Sequence, residues 1–422
     1  MNRSLFGLSL AYFLVLLDTT VLTIALPSLG GSLADRQWAV NAYTVAFAAV
    51  LLTGGSLADR YGAARVFRIG VASFGVISLL CGISPSLPVL IGLRALLGVA
   101  GALCLGGSLG LIAQLYPAPP ARARAMGVWA AVTGTALAAG PLVGGVLVDL
   151  YGWRAVFLVN PPIAAISLLS IAGVVSDAGR RRSFWAGQVV ACLFLGLLAQ
   201  AAISRSWLAA AAACVALAVL VTIERRSAAP ALPGGLLRST WPELVAGTVA
   251  NFAFSGALFV LTLLLQEGEH LTPMQTGLAF LPLTLPMAVN PVLTGRIVAR
   301  YGPRWPVLGG LVLLAAGLTG LALTDLTAPW LLVMGFGLSF CLPALVAGTV
   351  AAAPPGTAGT AGGVLNAARQ TGATLGVALL GPLTHAMLPA AILVAASAVL
   401  FAVTRRSGPV ARAASPDVAQ TS

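Results

Sequence analysis

Apolar runs of about twenty residues succeed one another along this chain, divided by short polar breaks, and about twenty residues is what an α-helix needs to cross ~30 Å of hydrocarbon. The runs fall at 5–29, 38–57, 67–84, 87–114, 126–149, 155–175, 184–203, 207–223, 241–266, 274–298, 305–323, 328–352, 359–381 and 384–403, which predicts fourteen helical spans. The expected fold class is an all-α integral membrane protein.

Composition agrees. Of 422 residues, 59% are hydrophobic and 8% charged, whereas a soluble domain is typically about a quarter charged; mean hydropathy is +0.98. The cysteines, Cys81, Cys104, Cys192, Cys214 and Cys341, all sit in apolar runs and read as small hydrophobes, not as a disulfide or metal framework. His270 and His385 are isolated, so no metal-ligand spacing exists. A net charge of +12 in a soluble protein would suggest nucleic acid, but here every basic residue is arginine and all but two are spread singly or in short clusters between spans. Arg3, Arg60, Arg65, Arg68, Arg122, Arg124, Arg180, Arg181, Arg182, Arg225, Arg226, Arg238, Arg296, Arg300, Arg304, Arg405, Arg406 and Arg412 fall in or beside the loops of one face. By the positive-inside rule that face is cytoplasmic, which places both termini there in a multi-pass plasma-membrane protein. Only Arg36, Arg154 and Arg205 fall on the other side, with Arg94 and Arg369 inside spans. The first run is too long for a signal peptide, contains Asp18 and lacks a cleavage site, so it reads as a retained helix.

Internal repetition divides the chain. Gly55-Ser-Leu-Ala-Asp59-Arg60-Tyr61-Gly62 recurs 240 positions later as Gly295-Arg-Ile-Val-Ala299-Arg300-Tyr301-Gly302, and Gly140-Pro141 recurs as Gly381-Pro382. Two echoes at nearly one offset imply two related six-helix halves, 1–175 and 241–403. Between them, 176–240 reads as an inserted two-helix hairpin with a cytoplasmic connector, and 404–422 as a disordered cytoplasmic tail.

Two charges stand out inside the spans. Asp18 is the only carboxylate well inside one, since Glu243, Glu267, Glu269 and Asp325 lie near span ends or in loops. A carboxylate at membrane depth costs several kcal/mol unless it is paired, protonated or wet, which makes Asp18 a functional candidate; alternatively it caps a helix break or bonds Thr19 and Thr20. Arg94 lies inside the fourth span and needs an anion or carbonyls. Coupling between Arg94 and Asp18, direct or through water, is one reading; snorkelling of Arg94 to the surface is the other.

Several motifs bring a family into view. Gly55-x-Leu57-Ala58-Asp59-Arg60-Tyr61-Gly62-x-x-Arg65, Leu90-x-x-x-Arg94-x-x-Leu97-Gly98, Gly134-x-x-x-x-x-Gly140-Pro141-x-x-Gly144-Gly145 and Gly152-Trp153-Arg154-x-x-Phe157-x-x-Asn160-Pro161 resemble motifs of the major facilitator superfamily, specifically its fourteen-span drug:proton antiporters. Asp18, Ala25, Leu26 and Pro27 in the first span, Leu265-Gln266 and Pro273-Met274-Gln275-x-Gly277 in the second half, and Gly363-x-x-Asn366-x-x-Arg369-Gln370-x-Gly372-x-x-x-Gly376 in the thirteenth span extend the resemblance over nearly the whole chain. The chain departs from the pattern at Ala63 and Ala64, where basic residues are usual, at Leu97, where glutamine is common, and at Ala299, which removes the acid from the second copy of the loop.

The resemblance implies the major facilitator fold and export of hydrophobic or amphipathic small molecules, such as drugs or antibiotics, in exchange for protons by alternating access. It implies a gating loop at Gly55, Asp59, Arg60, Gly62 and Arg65, an exporter hinge at Gly134, Gly140, Pro141, Gly144 and Gly145, and proton coupling at Asp18 with Arg94. Candidates for the substrate cavity are Tyr12, Trp129, Asn251, Phe254, Asn366 and Arg369; Asn366 and Arg369, three apart, share a helical face. The absence of a mid-span acid in the second half argues against divalent-cation export and multi-proton coupling. No cofactor, metal or nucleic acid is expected, and the partners are substrate, protons and lipid around a monomer. An importer or facilitator on the same fold is the alternative, disfavoured by Gly140-Pro141. A membrane-embedded enzyme would need a nucleophile–base pair or carboxylate dyad that the sequence does not offer.

Overall fold

The computed structural model describes residues 2–176, 185–227, 235–324, 327–354, 357–383 and 385–405. Nearly all of the tail expected at 404–422, part of the connector, Arg180 to Arg182 and Asp325 lie outside the described residues. Helices make up the described chain, with no strand among the described residues. They are α1 (Arg3–Ala25), α2 (Leu33–Tyr61), α3 (Ala63–Gly82), α4 (Leu87–Leu115), α5 (Pro119–Tyr151), α6 (Ala155–Leu158), α7 (Asn160–Ser170), α8 (Trp185–Ser204), α9 (Trp207–Arg226) and α10 (Leu236–Leu263). After a π-turn at Leu264–Gly268 come α11 (Pro273–Ala279), α12 (Leu281–Val289), α13 (Pro291–Tyr301), α14 (Arg304–Leu323), α15 (Thr327–Ala352), α16 (Ala358–Leu380) and α17 (Met387–Thr404). Among the described residues, 8 helices are long and apolar enough to cross a membrane. The protein is a multi-pass membrane protein.

Two expected spans are interrupted, and proline explains both. The run at 155–175 divides into α6 and α7 where Pro161 and Pro162 follow Asn160, and the run at 274–298 divides into α11, α12 and α13 at Pro282 and Pro291. Each proline lacks the N–H that would continue the helical ladder. Phe280 and Asn290, at the junctions, nonetheless keep right-handed helical backbone, so the three segments follow on from one another with local breaks.

Side chains bury into two main cores. One gathers residues of α1 to α5 and α7, including Leu8, Leu14, Tyr43, Phe67, Phe74 and Leu97; the other gathers residues of α10 to α17, including Phe280, Leu311, Leu314, Met334 and Leu338. Between them α2 packs against α16, and α5 against α11 and α12. The hairpin of α8 and α9 leans on that seam, because α8 touches both α2 and α16 and Trp38 Nε1 donates to Gln200 Oε1 at 3.1 Å.

The sequence echo is also a structural one. Gly62 and Gly302 close the two copies of the loop with φ of 90° and 79°, a conformation that glycine adopts at little cost. In the copies Arg60 lies 5.1 Å from the centre of the Tyr61 ring and Arg300 lies 5.2 Å from that of Tyr301. At the entry to α2, Ser32 and Asp35 form a reciprocal cap, and the Ser32 N–H and hydroxyl hold the Asp35 carboxyl below its usual range.

Close backbone approach sets the α10–α16 crossing, where a Cβ on Gly372 would run into the Thr248 carbonyl. Gly359, on the same helix, has nothing within 4 Å of its added Cβ. Gly372→Ala is therefore expected to destabilise the protein by about 1–3 kcal/mol through overpacking, whereas Gly359→Ala leaves stability unchanged or slightly raised. Thermal unfolding in detergent, following both variants, measures the contrast.

Candidate functional site

Asp18 lies on α1, only 3% exposed, and Arg94 on α4 is 1% exposed. The two form a direct ion pair through Asp18 Oδ2 and Arg94 Nη1. Thr19 and Thr20 do not bond to the acid. Thr19 Oγ1 donates to the Leu16 carbonyl at 2.6 Å and Thr20 Oγ1 to that of Leu17 at 3.2 Å, which leaves Asp18 to groups from other helices.

Arg94 is held on three sides. Its Nε donates to the Ala39 carbonyl at 3.0 Å, its guanidinium carbon lies 4.5 Å from the centre of the Tyr43 ring, and the Tyr43 hydroxyl in turn donates to the Val15 carbonyl at 3.1 Å. A guanidinium so enclosed does not snorkel. Removing one member of such a buried pair leaves an uncompensated charge, at a cost of roughly 3–5 kcal/mol.

The remaining Asp18 oxygen meets Asn160. Asn160 Nδ2 donates to Asp18 Oδ1 at 3.2 Å and to Ser78 Oγ at 2.8 Å, and Ser78 Oγ donates to the Phe157 carbonyl at 2.9 Å. One carboxylate thus ties α1 to α4 and α7, and through Ser78 to α3 and α6. The Asn160 Oδ1 acceptor has no partner although the residue is 1% exposed. Sequence reasoning placed Asn160 only within a motif; its signal was an amide in an apolar run just before two prolines.

Directly beyond Asp18, α1 meets the glycines of α5. A Cβ on Gly140 would overlap the Thr20 side chain, and one on Gly144 would come 3.0 Å from the Val21 carbonyl. The same stretch of α5 then touches α11, since a Cβ on Gly145 would lie 2.5 Å from the Pro273 carbonyl and one on Gly277 2.5 Å from that of Pro141. Gly134 lies earlier on α5. Gly140, Gly144 and Gly145 therefore stand between the acid-bearing helix and the second core.

Gly55 faces open space, Gly62 is buried, and Asp59, Arg60 and Arg65 are exposed. Ser176 Oγ accepts from the Ala64 N–H at 2.8 Å at the start of α3.

Of the substrate-cavity candidates, Tyr12 and Trp129 stack with centroids 4.4 Å apart and planes 2° from parallel. Arg369 Nε donates to Asn251 Oδ1 at 3.2 Å and its Nη1 to Asn366 Oδ1 at 3.3 Å, so these three form one cluster. Tyr12 and Arg369 lie within electrostatic reach of each other. Phe254 instead packs into the second core.

The seam holds polar contacts that sequence reasoning did not find. Gln37 Nε2 donates to the Val377 and Ala378 carbonyls at 2.8 and 3.1 Å, and Thr44 Oγ1 lies 3.0 Å from Thr374 Oγ1. Gln266 Nε2 donates to the Ile24 carbonyl at 2.9 Å, and Arg36 pairs with Glu267. Each links the first core's helices to the second's near the helix ends opposite Gly62 and Gly302. Asn41, one turn after Gln37 and just before Thr44, is fully buried with neither side-chain atom bonded.

Comparison with known proteins agrees with this architecture. The chain is 36% identical over 410 residues to the tetracenomycin C resistance and export protein of Streptomyces glaucescens, covering 90% of this chain and 75% of that one. It is 33% identical over 419 residues to the multidrug resistance protein Stp of Mycobacterium tuberculosis, covering 93% and 78%. It is also 33% identical over 407 residues to the methylenomycin A resistance protein of Streptomyces coelicolor, covering 90% and 85%. Among solved structures, a POT family transporter in complex with 5-aminolevulinic acid superposes with a TM-score of 0.72 at 14% identity, over 96% of each chain. A bacterial homolog to human lysosomal transporter, Spinster, in an inward-facing and occupied conformation, gives 0.68 at 15% identity over 96% and 98%. At these identities the structures speak for the fold alone. The family model described as Major Facilitator Superfamily matches residues 8–377, and the chain belongs to that superfamily.

Proposed function

We propose that the protein is a proton-coupled exporter of hydrophobic or amphipathic small molecules, antibiotics among them. It crosses the plasma membrane fourteen times with both termini cytoplasmic and works as a monomer by rocking 1–175 against 241–403. The names of the relatives support the direction and the class of cargo. The observation that carries the coupling is the buried Asp18–Arg94 pair, joined to the seam by Thr20 and Val21 against Gly140 and Gly144.

The physical argument runs through charge. With Asp18 ionised, the pair is neutral overall and α1, α4 and α7 are drawn together. A proton on Asp18 abolishes the attraction and leaves Arg94 as a buried cation, which favours a different packing of α1 against α4. Because α1 contacts α5 two residues beyond the acid, and α5 contacts α11, a shift of α1 is transmitted to the contact between the halves. The polar links at Gln37, Thr44, Gln266 and Arg36 hold the seam near the helix ends opposite Gly62 and Gly302, which in this reading is the side away from the cytoplasm.

In everted membrane vesicles an imposed proton gradient is expected to drive uptake of a labelled drug, and Asp18→Asn abolishes that coupling while the protein still elutes as a folded monomer. Unimpaired proton-driven uptake by the variant refutes the assigned role. The pair itself is tested by a double-mutant cycle. Asp18→Asn and Arg94→Gln each destabilise the protein in thermal unfolding, and the double variant loses less than the sum by about 1–3 kcal/mol; strict additivity excludes direct coupling.

A further inference from the structure

Two groups, Arg369 on α16 and Trp129 on α5, offer hydrogen-bond donors that nothing among the described residues takes up. Arg369 uses Nε and Nη1 on the oxygens of Asn251 and Asn366, both neutral amides. A guanidinium carries five N–H donors, and Nη2 has no partner among the described residues. The ionisable groups whose fields reach Arg369 are Tyr12 and Cys341, neither of them a carboxylate. Asp18, which might have balanced it, is already engaged by Arg94. Beside this cation stands the Tyr12–Trp129 stack, and the Trp129 Nε1 donor is buried with no acceptor.

A half-buried cation without an anion among the described residues and a buried indole N–H without an acceptor are both relieved by the same ligand: one that is negatively charged and rich in acceptor oxygens. The parallel rings of Tyr12 and Trp129 add aromatic surface, with which an aromatic plane in the cargo is compatible. A cationic amphiphile meets the opposite situation. It would bring like charge to Arg369 and leave the Trp129 donor unused, since the site presents no carboxylate to receive it.

We infer that Arg369 and Trp129 form the charge-selecting part of the cargo site and that the preferred cargo is a planar aromatic anion bearing carboxylate, phenolate or enolate oxygens, not a lipophilic cation. This rests on the proposed export function for its biological meaning, but binding at equilibrium tests it without a gradient and independently of whether protons drive transport. Asn251 and Asn366 act as positioning residues that fix the guanidinium plane.

The test uses the full-length protein in lipid nanodiscs and two xanthene dyes of nearly equal shape: fluorescein as its dianion and the cationic rhodamine 123, with binding read by dye anisotropy. Wild type is expected to bind fluorescein roughly tenfold or more tightly than rhodamine 123. Arg369→Gln erases that ratio, Arg369→Lys keeps most of it, and Trp129→Phe, which retains a ring for the Tyr12 stack but lacks the N–H, weakens fluorescein binding selectively. Equal or tighter binding of the cation by wild type overturns the inference, as does failure of both dyes to bind, or an equal loss for both dyes in a folded Arg369→Gln protein. The wild-type comparison stands even if a variant does not fold.

Discussion

Hydrocarbon tolerates an isolated charge so poorly that Asp18 and Arg94 can both be ionised at membrane depth only in each other's presence. That requirement organises the first half of the molecule. To satisfy the guanidinium, α2 contributes the Ala39 carbonyl and the Tyr43 ring; to satisfy the carboxylate, α7 contributes Asn160, itself steadied by Ser78 of α3. Five helices thus converge on a single neutral cluster, whose neutrality depends on one proton.

The two halves keep the same framework and differ in how they handle charge. Both close their repeated loop on a left-handed glycine with an arginine over a tyrosine, and both cross helices at glycines. The first half pairs its cation with an acid. The second gives Arg369 two amide oxygens and no acid, so its charge remains available to a third party. The two arginines inside spans thus differ in their partners: Arg94 meets a carboxylate, and Arg369 meets amide oxygens.

The all-helical membrane fold and the two buried charges were legible in the sequence because each depends on composition within a single helix. Hydrocarbon length marks the spans, and a lone ionisable residue in such a run announces itself. The bond from Asn160 to Asp18 joins residues 142 apart, and that from Gln37 to Val377 joins residues 340 apart. Such contacts depend on the rotational phase and tilt of separate helices, which no local pattern encodes. Phe254 shows the same limit in reverse: an aromatic in a transmembrane run looks equally suited to a cavity or a core, and packing put it in the core. The prolines at 161, 162, 282 and 291 were visible, yet length alone favoured unbroken spans over the segmented helices that form.

Asn41 gives the closed seam a particular character. Its amide lies on the same face of α2 as Gln37 and Thr44, which bind α16, but it is sealed in with both of its polar atoms unmatched. A buried amide in that condition withdraws about 1–3 kcal/mol from the state that buries it. The surface that Gln37 and Thr44 hold together thus also encloses, in Asn41, a group that gains from any arrangement giving its amide a partner.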